Sequence, residues 1–275
     1  MTFFSQQWQL FCLAVMFFTR FPVPKSTPYS ADLMNKANRY FPLVGLLIAI
    51  LLSGLYFGLR FIFPLDIAVL LIMIASLLFT GAFHEDGLAD MSDGMGGGFS
   101  VEKRLAIMKD SRIGTYGAVT LLVSLLLKFT LLVALAKQEL LISSLVLAYV
   151  LSRAVAASLI FNTAYVSDEA SSKSKPLANQ QSLIELLMVL SCGFLALVVF
   201  IKQPWFITLV VSVVISLAVF RFIFRRWLIK RISGFTGDCL GAAQQISELV
   251  IYLCIVAVNQ YAMNGSFSSV VVGAL

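Results

Sequence analysis

Seven long runs of apolar residues restrict the architectures open to this chain. About 20 helical residues cross the hydrocarbon core of a bilayer, and lipid offers no partner to backbone polar groups, so spanning segments form helices or closed barrels. The runs lack the apolar–polar alternation of barrel strands, and a composition of 60% apolar and 12% charged residues excludes an ordinary soluble globule. We therefore predict an all-α polytopic integral membrane protein, a single membrane-embedded domain over residues 1–275 with about seven transmembrane helices. The predicted spans are roughly 42–63, 66–83, 113–136, 139–163, 183–201, 204–224 and 238–262.

The first forty residues contain a further apolar stretch, residues 10–18, that is too short to cross a bilayer as a helix. Arg20 and Pro22 follow it closely, and no basic region precedes it, as one would in a cleaved secretory signal. We predict that this N-terminal segment is an interfacial or re-entrant helix.

Lysine and arginine residues are distributed unevenly between the predicted loops. The segment before the first span and the second-to-third, fourth-to-fifth and sixth-to-seventh connections carry most of them, whereas the alternate loops hold Arg60, Lys137 and Lys202. Because cytoplasmic loops are enriched in Lys and Arg, we predict a cytoplasmic N-terminus and an outer C-terminus. This bias explains the net charge of +6, so no nucleic-acid partner is needed. The basic residues of the rich segments are Arg20, Lys25, Lys36, Arg39, Lys103, Arg104, Lys109, Arg112, Lys173, Lys175, Arg221, Arg225, Arg226, Lys230 and Arg231.

Acidic residues cluster directly after the second predicted span, at Glu85, Asp86, Asp90 and Asp93. A helix that continues or restarts there would bring the three aspartates within roughly 60° of one another around its axis. Carboxylates this close repel unless a cation lies between them, and hard divalent ions such as Mg²⁺ prefer oxygen ligands. We predict a metal site here, with a solvated acidic loop as the alternative.

Further candidate residues flank the acidic cluster. His84 is the one histidine of the chain and is a candidate for substrate binding or proton transfer, although a lone histidine is more often structural. The glycine-rich residues 94–98 suit a close approach to a ligand but lack the Walker pattern of a phosphate loop. The basic residues that follow can bind phosphate oxygens or can reflect the cytoplasmic bias alone; they are Lys103, Arg104, Lys109 and Arg112.

A second polar segment opens the last predicted span. Asp238 and Gln245 share a helical face there, and Glu248 lies about one turn further into the membrane. A carboxylate at membrane depth is costly and indicates function by default. The structural alternative pairs Glu248 with Lys128 or Arg153, which fall within other predicted spans.

Five sequence blocks carry a family resemblance: TRFPVP (19–24), RYFPLVG (39–45), FHEDGLADMSDG (83–94), MKDSRIGTYG (108–117) and GFTGDCLGA (234–242). In this order they resemble the cobalamin synthase family, adenosylcobinamide-GDP ribazoletransferase, over most of the chain. The sequence departs from the family at Ala82, where relatives often have a second glycine.

The resemblance implies a Mg²⁺-dependent enzyme of the bacterial cytoplasmic membrane. Such an enzyme joins adenosylcobinamide-GDP to α-ribazole or its 5′-phosphate, giving adenosylcobalamin or its 5′-phosphate and releasing GMP. The residues suit this chemistry, because phosphoryl transfer needs a metal to neutralise charge, basic groups to hold phosphates and a carboxylate to receive a proton. Self-association and association with other cobalamin-pathway enzymes both remain open.

The resemblance and the acidic cluster together suggest roles for individual residues. The candidate metal ligands are Glu85, Asp86, Asp90 and Asp93. The candidate catalytic residues are Asp93 or Asp238 as general base, together with His84. The candidate substrate-binding residues are Lys103, Arg104, Lys109, Asp110, Arg112, Thr236 and Gly237.

Two alternative functions share part of this pattern. CDP-alcohol phosphotransferases also group helical aspartates around Asp-Gly-x-x-Ala, but Asp90 stands here where they have arginine, and their later Asp-containing continuation is absent. A cation-coupled transporter could use Glu248, Lys128 and Arg153, but transporters place acidic sites near the bilayer midplane. Here the main cluster lies at the predicted cytoplasmic boundary, which favours ribazole transfer.

Overall fold

The computed structural model of the chain describes residues 3–166 and 179–272. Lys173 and Lys175, which contributed to the predicted orientation, lie outside the described residues. Within the described ranges a 3₁₀ turn, Asn38–Tyr40, precedes α3, and a second 3₁₀ segment, Ala196–Phe200, extends α9. The α-helices there are α1 (Phe3–Phe18), α2 (Ala31–Ala37), α3 (Phe41–Leu59), α4 (Leu65–Thr80), α5 (Phe83–Gly97), α6 (Val101–Met108), α7 (Thr115–Lys137), α8 (Leu141–Ser158), α9 (Leu183–Leu195), α10 (Phe206–Ile232) and α11 (Gly237–Val272).

The helices confirm an all-α polytopic membrane architecture. In the described part of the chain, six helical segments are long and apolar enough to cross a bilayer, and a seventh is obtained if α4 and α5 together form one bent span. Six of the seven predicted spans match these six segments, because long apolar runs dominate the hydropathy of each one, and the predicted span 66–83 corresponds to α4, the first half of the bent pair. The N-terminal helix α1, with 16 residues, is not one of the candidate spans. Its interfacial or re-entrant placement therefore stays a prediction.

Two helices form the centre of the bundle. In α8 and α11, 83% and 67% of the most apolar window is buried, against 22% in α7 and 17% in α10. The peripheral helices therefore expose apolar side chains over most of their surface, as lipid-facing helices do. Small residues let α9 approach the central helix α8 closely, since a Cβ on Gly193 of α9 would lie 2.9 Å from Ala154 Cβ on α8.

A sharp bend separates α4 from α5. Gly81 ends α4 in the left-handed conformation with φ 65°, and Ala82 follows with φ 55°. Glycine adopts this conformation without strain, whereas an alanine Cβ is crowded there. The two helices meet at 83°, so α5, the acidic helix that carries Glu85, Asp86, Asp90 and Asp93, runs in a different direction from α4. The predicted restart of a helix after the second span is confirmed.

A buried ion pair lies between α7 and α11. Lys128 Nζ is 2.7 Å from Glu248 Oε1, and the two side chains are 5% and 1% exposed. Glu248 also accepts hydrogen bonds from Gln244 Nε2 at 2.7 Å and from the Tyr252 hydroxyl at 3.1 Å. Arg153 instead donates to a backbone carbonyl one turn earlier on α8. The structural alternative for Glu248, pairing with Lys128, is confirmed.

The prediction for the sixth-to-seventh connection was wrong in one respect. The basic residues assigned to that loop lie on α10, which continues to Ile232 instead of ending near residue 224. Arg221 Nη2 donates to the Ser158 carbonyl at 2.8 Å, and Arg225 bonds to the Asn162 carbonyl. These arginines donate hydrogen bonds to carbonyls at and beyond the end of α8. Hydropathy alone placed the end of α10 too early, because it registers the charge of these residues but not their hydrogen bonds.

Candidate active site

The acidic helix α5 presents different residues to different neighbours. His84 is 2% exposed, and its ring is stacked on Phe41 with a centroid distance of 5.7 Å. Glu85 is 6% exposed and accepts a hydrogen bond from Gln245 Nε2 of α11 at 2.9 Å. Both side chains therefore lie inside the protein. The proton-transfer role of His84 and the metal-binding role of Glu85 stay predictions.

Asp86 and Asp90 lie on the outer side of the same helix. Asp86 is exposed and Asp90 is partly exposed, and their spacing of four residues places them one turn apart on one face. Both are therefore accessible to a ligand outside the bundle.

The residue between these aspartates in sequence, Gly87, makes a close crossing with α11. A Cβ on Gly87 would lie 3.1 Å from both Asp238 Cα and Asp238 O, and 3.4 Å from Gly241 Cα. A Cβ on Gly241 would in turn lie 3.2 Å from the His84 carbonyl. Only glycine allows backbones this close. The crossing packs the backbone of Asp238 against Gly87, which lies between Asp86 and Asp90 in sequence.

Asp93 holds the start of α7. Its Oδ2 accepts the backbone N–H of Gly114 at 2.7 Å, and its Oδ1 accepts the N–H of Gly117 at 2.8 Å. These N–H groups have no partner within their own helix, and a carboxylate at a helix N-terminus is favoured by the helix dipole. The structure thus shows a positioning contact for Asp93, whereas its predicted roles as metal ligand and general base stay predictions.

The glycine-rich end of α5 packs against α6 and α7. A Cβ on Gly94 would lie 2.5 Å from Met108 Cγ, and one on Gly98 would lie 2.5 Å from Arg104 Cγ. A Cβ on Gly96 would lie 2.6 Å from the ring of Tyr116. The close approach expected of these glycines is present, and the groups approached are neighbouring side chains.

The start of α11 is fixed by its own loop. Phe235 N–H donates to the Ala164 carbonyl at 2.8 Å, and Thr236 Oγ1 accepts the N–H of Cys239 at 3.4 Å, as an N-terminal cap. Thr236 is buried, whereas Gly237 is exposed and a Cβ there would meet nothing within 4 Å. Asp238 is partly exposed in the first turn.

The predicted phosphate-binding residues separate into buried and exposed groups. Arg104 is 8% exposed and its Nη1 donates to the Arg231 carbonyl at 3.0 Å, near the end of α10. Lys103 is exposed and Lys109 is partly exposed. Arg104 therefore fastens α6 to α10, while the lysines reach the surface.

Asp110 and Arg112 form an exposed pair close to these lysines. Arg112 Nη2 lies 2.6 Å from Asp110 Oδ2, and its Nε donates to Oδ1 at 3.0 Å. Hydrogen bonding to Asp110 raises the pKa of the Arg112 guanidinium above its ordinary value, so this group remains charged. The predicted substrate-binding role of both residues stays a prediction.

The donor set of the acidic helix suits Mg²⁺ only in part. Within residues 3–166 and 179–272, no three His, Cys, Asp or Glu side chains are grouped so that they could hold a metal ion. Mg²⁺ is commonly bound by one or two carboxylates completed by substrate phosphates and water. Asp86 and Asp90 provide two accessible carboxylates on one helix face, which fits that mode of binding. The metal site therefore remains a prediction.

A contact that sequence reasoning missed joins the acidic helix to the buried ion pair. Gln245 Nε2 donates to Glu85 Oε1 and to Gln244 Oε1, both at 2.9 Å, and Gln244 donates to Glu248. Polar side chains inside helix bundles commonly hydrogen-bond across helices. Two adjacent glutamines within a predicted span were the signal that could have indicated this contact.

Comparison with known proteins identifies the family. The sequence profile of the family described as cobalamin-5-phosphate synthase matches residues 10–256. Relatives named adenosylcobinamide-GDP ribazoletransferase are 54% identical in Vibrio vulnificus, over 92% of this chain and 98% of the relative, and 48% identical in Shewanella amazonensis, over 92% and 96%. A relative of that name in Vibrio cholerae is 54% identical over 93% of this chain and 96% of its own length. No solved structure matches the chain. The resemblance inferred from the five sequence blocks is thus confirmed, and the chain belongs to the cobalamin-5-phosphate synthase family.

Proposed function

We propose that this protein is a Mg²⁺-dependent adenosylcobinamide-GDP ribazoletransferase. It joins adenosylcobinamide-GDP to α-ribazole or α-ribazole 5′-phosphate, yielding adenosylcobalamin or its 5′-phosphate and GMP. Family membership supports this reaction over lipid synthesis from a CDP-alcohol and over cation transport.

The observation that carries the proposal is the crossing of α5 and α11 at Gly87. It packs the first turn of α11, which carries Asp238, against α5 at Gly87, and α5 bears Asp86 and Asp90, both accessible from outside the bundle. Transfer onto a pyrophosphate needs carboxylates that can hold a divalent cation and one more that can accept a proton. These three residues supply both groups from two rigid helices.

The proposed reaction is a displacement at phosphorus. The ribose hydroxyl oxygen of ribazole forms a bond to the phosphorus atom that carries the cobinamide oxygen, and the bond from that phosphorus to GMP breaks. The hydroxyl proton passes to Asp238, and GMP leaves with the electron pair. Mg²⁺, held by Asp86 and Asp90, would neutralise charge on the pyrophosphate oxygens when bound.

The protein's other polar residues have supporting roles in this proposal. Lys103, Lys109 and Arg112 lie on α6 and the connection after it, where their charges can hold phosphate oxygens. Asp93 keeps the start of α7 in place through Gly114 and Gly117. Asp93 is buried in this contact, whereas Asp238 is partly exposed and accepts the Thr236 hydroxyl at 3.3 Å, so we assign the general base to Asp238.

We further propose that the site faces the cytoplasm of a bacterial cell, in the inner membrane. Support comes from the basic residues before α3, between α5 and α7 and along the last turns of α10, which the positive-inside rule places in the cytoplasm. Soluble nucleotide substrates are available on that side.

The test replaces the two accessible aspartates one at a time. Asp86→Asn and Asp90→Asn keep the shape of each side chain but remove its charge, so each should lower turnover by at least about 10²-fold across a Mg²⁺ titration. The matched control is Asp66→Asn, because Asp66 is exposed at the start of α4. This variant should retain wild-type turnover. All three variants should unfold at the wild-type temperature in detergent.

Wild-type activity of either variant over the whole Mg²⁺ range would refute the metal assignment. A rise in the Mg²⁺ concentration needed for half-maximal turnover, with some activity retained, would instead support it.

A further inference from the structure

A small cavity lies where the C-terminal ends of α1 and α4 meet the first turn of α5. Its volume is about 270 Å³, and Met16, Phe17, Met34 and Phe83 contribute its apolar lining. Tyr29, which is 53% exposed, lies at its rim. Sites for a complete small molecule measure about 300–1,000 Å³. This cavity therefore suits one ring system of a substrate and is too small for a corrinoid macrocycle.

Arg20 provides a positive charge at the cavity. Its backbone N–H donates to the Phe79 carbonyl at 2.7 Å, and its guanidinium lies over Gly81, where a Cβ would be 2.9 Å from Nη2. The side chain is exposed, and no residue in the described ranges forms an ion pair or side-chain hydrogen bond with it. An arginine of this kind is available to bind phosphate oxygens as a fork.

The polar groups of the lining discriminate between candidate ring systems. The Thr19 hydroxyl donates to the Val15 carbonyl at 2.7 Å and accepts the N–H of Phe21, and the Thr80 hydroxyl donates to the Ser76 carbonyl at 3.1 Å. Neither hydroxyl proton is left for a ligand. A guanine base would bring more polar edge groups into this largely apolar lining than the benzimidazole base of α-ribazole, which has one ring nitrogen besides its apolar carbons, and burying polar groups without partners is costly.

One lining residue of the cavity, Phe83, lies on the same helix as the accessible aspartates. Phe83 precedes Asp86 by three residues and Asp90 by seven, so the three side chains project from one side of the helix. At a rise of 1.5 Å per residue, the aspartates lie roughly 4.5 Å and 10.5 Å further along the axis. A ribose attached to a base in the cavity would therefore extend toward them.

We propose that this cavity binds the apolar benzimidazole base of the attacking nucleoside and that Arg20 binds its 5′-phosphate. The inference rests on the proposed ribazole transfer and extends it, since it identifies the position of one substrate and a residue that prefers its phosphorylated form.

The first variant to test is Arg20→Gln, with Lys25→Gln as control, because Lys25 is an exposed basic residue of the same connection and does not line the cavity. Loss of a charged hydrogen bond should raise KM for α-ribazole 5′-phosphate by about tenfold to a hundredfold in Arg20→Gln. KM for unphosphorylated α-ribazole and for adenosylcobinamide-GDP should change by less than about threefold. Lys25→Gln should leave all three values unchanged.

A second variant, Tyr29→Ser, removes a ring at the rim of the cavity. It should raise KM for α-ribazole and for its 5′-phosphate by similar factors and leave KM for adenosylcobinamide-GDP unchanged. Because Tyr29 is largely exposed, this variant should fold as the wild type does.

Equilibrium dialysis of α-ribazole 5′-phosphate with the purified full-length protein provides a readout independent of turnover. Weaker binding of the nucleotide to Arg20→Gln, with wild-type binding to Lys25→Gln, supports the site. This conclusion holds even if the wild type forms no product, since absence of product would refute only the proposed function. Equal binding to Arg20→Gln and the wild type overturns the site. A KM effect confined to adenosylcobinamide-GDP overturns it as well, because the cavity would then bind the other substrate.

Discussion

The buried ion pair between α7 and α11 allows a quantitative prediction about stability. Lys128 and Glu248 are 2.7 Å apart and almost completely buried. In Lys128→Met, the carboxylate of Glu248 keeps two neutral hydrogen-bond donors, Gln244 and Tyr252, but loses its counter-ion. Removing one partner of a buried pair typically costs about 3–5 kcal/mol, because an uncompensated charge stays buried.

The expected loss is large enough to measure in detergent. For a protein of this size, about 1 kcal/mol corresponds to roughly 2–4 °C in Tm, so Lys128→Met should lower Tm by about 6–20 °C. The matched control is Lys137→Met, because Lys137 is exposed at the end of the same helix. Its Tm should stay within about 2 °C of the wild type.

The double variant distinguishes a charge effect from lost packing. Replacing both partners by apolar residues is often neutral, so Lys128→Met combined with Glu248→Met should regain at least about 2 kcal/mol relative to the sum of the single variants. Additive losses in thermal unfolding, or a single-variant loss below about 1 kcal/mol, would refute the account of this pair.

Two further substitutions test the backbone around the acidic helix. Gly87→Ala puts a Cβ 3.1 Å from the backbone of Asp238, so it should push α5 away from α11. It should lower the free energy of unfolding by about 1–3 kcal/mol and also lower turnover. Gly97→Ala, whose nearest contact would be an ordinary 3.5 Å, should retain activity, and equal activity of the two variants would contradict the close crossing. Ala82→Gly should raise the free energy of unfolding by about 0.5–1 kcal/mol, because Ala82 adopts a left-handed conformation (φ 55°) that crowds its Cβ. An unchanged or lower Tm in thermal unfolding would argue against that strain.

The helical architecture could be predicted from the sequence because each span is a long apolar run with a strong hydropathy signal. The 83° bend after α4 could not, because it depends on the left-handed conformation of Gly81 and Ala82, and hydropathy carries no information on backbone dihedral angles. The end of α10 was predicted too early for a related reason. Arg221 and Arg225 look like loop residues by charge, but they are helical and bind carbonyls at the end of α8.

In the candidate site, too, relations within one helix could be predicted from the sequence, whereas contacts between helices could not. Helical periodicity predicted that Asp86, Asp90 and Asp93 share a face, since that relation is local to one helix. It could not show that Asp93 is buried against the start of α7 while the other two reach the surface. The place of Asp238 beside Gly87 depends on how α11 crosses α5, a tertiary contact that spacing along the chain does not encode. Burial likewise separated Arg104 from Lys103, two adjacent basic residues that the sequence treats alike.

The central claim is that the aspartates at the α5–α11 crossing transfer a cobinamide phosphate onto a ribose hydroxyl. Its most direct test is GMP release by the purified protein, measured together with the corrinoid product while each reactant is omitted in turn. We predict one GMP per corrinoid product, formed only when adenosylcobinamide-GDP, a ribazole substrate and Mg²⁺ are all present. GMP release that does not depend on ribazole, or turnover of a CDP-lipid in its place, would contradict the claim.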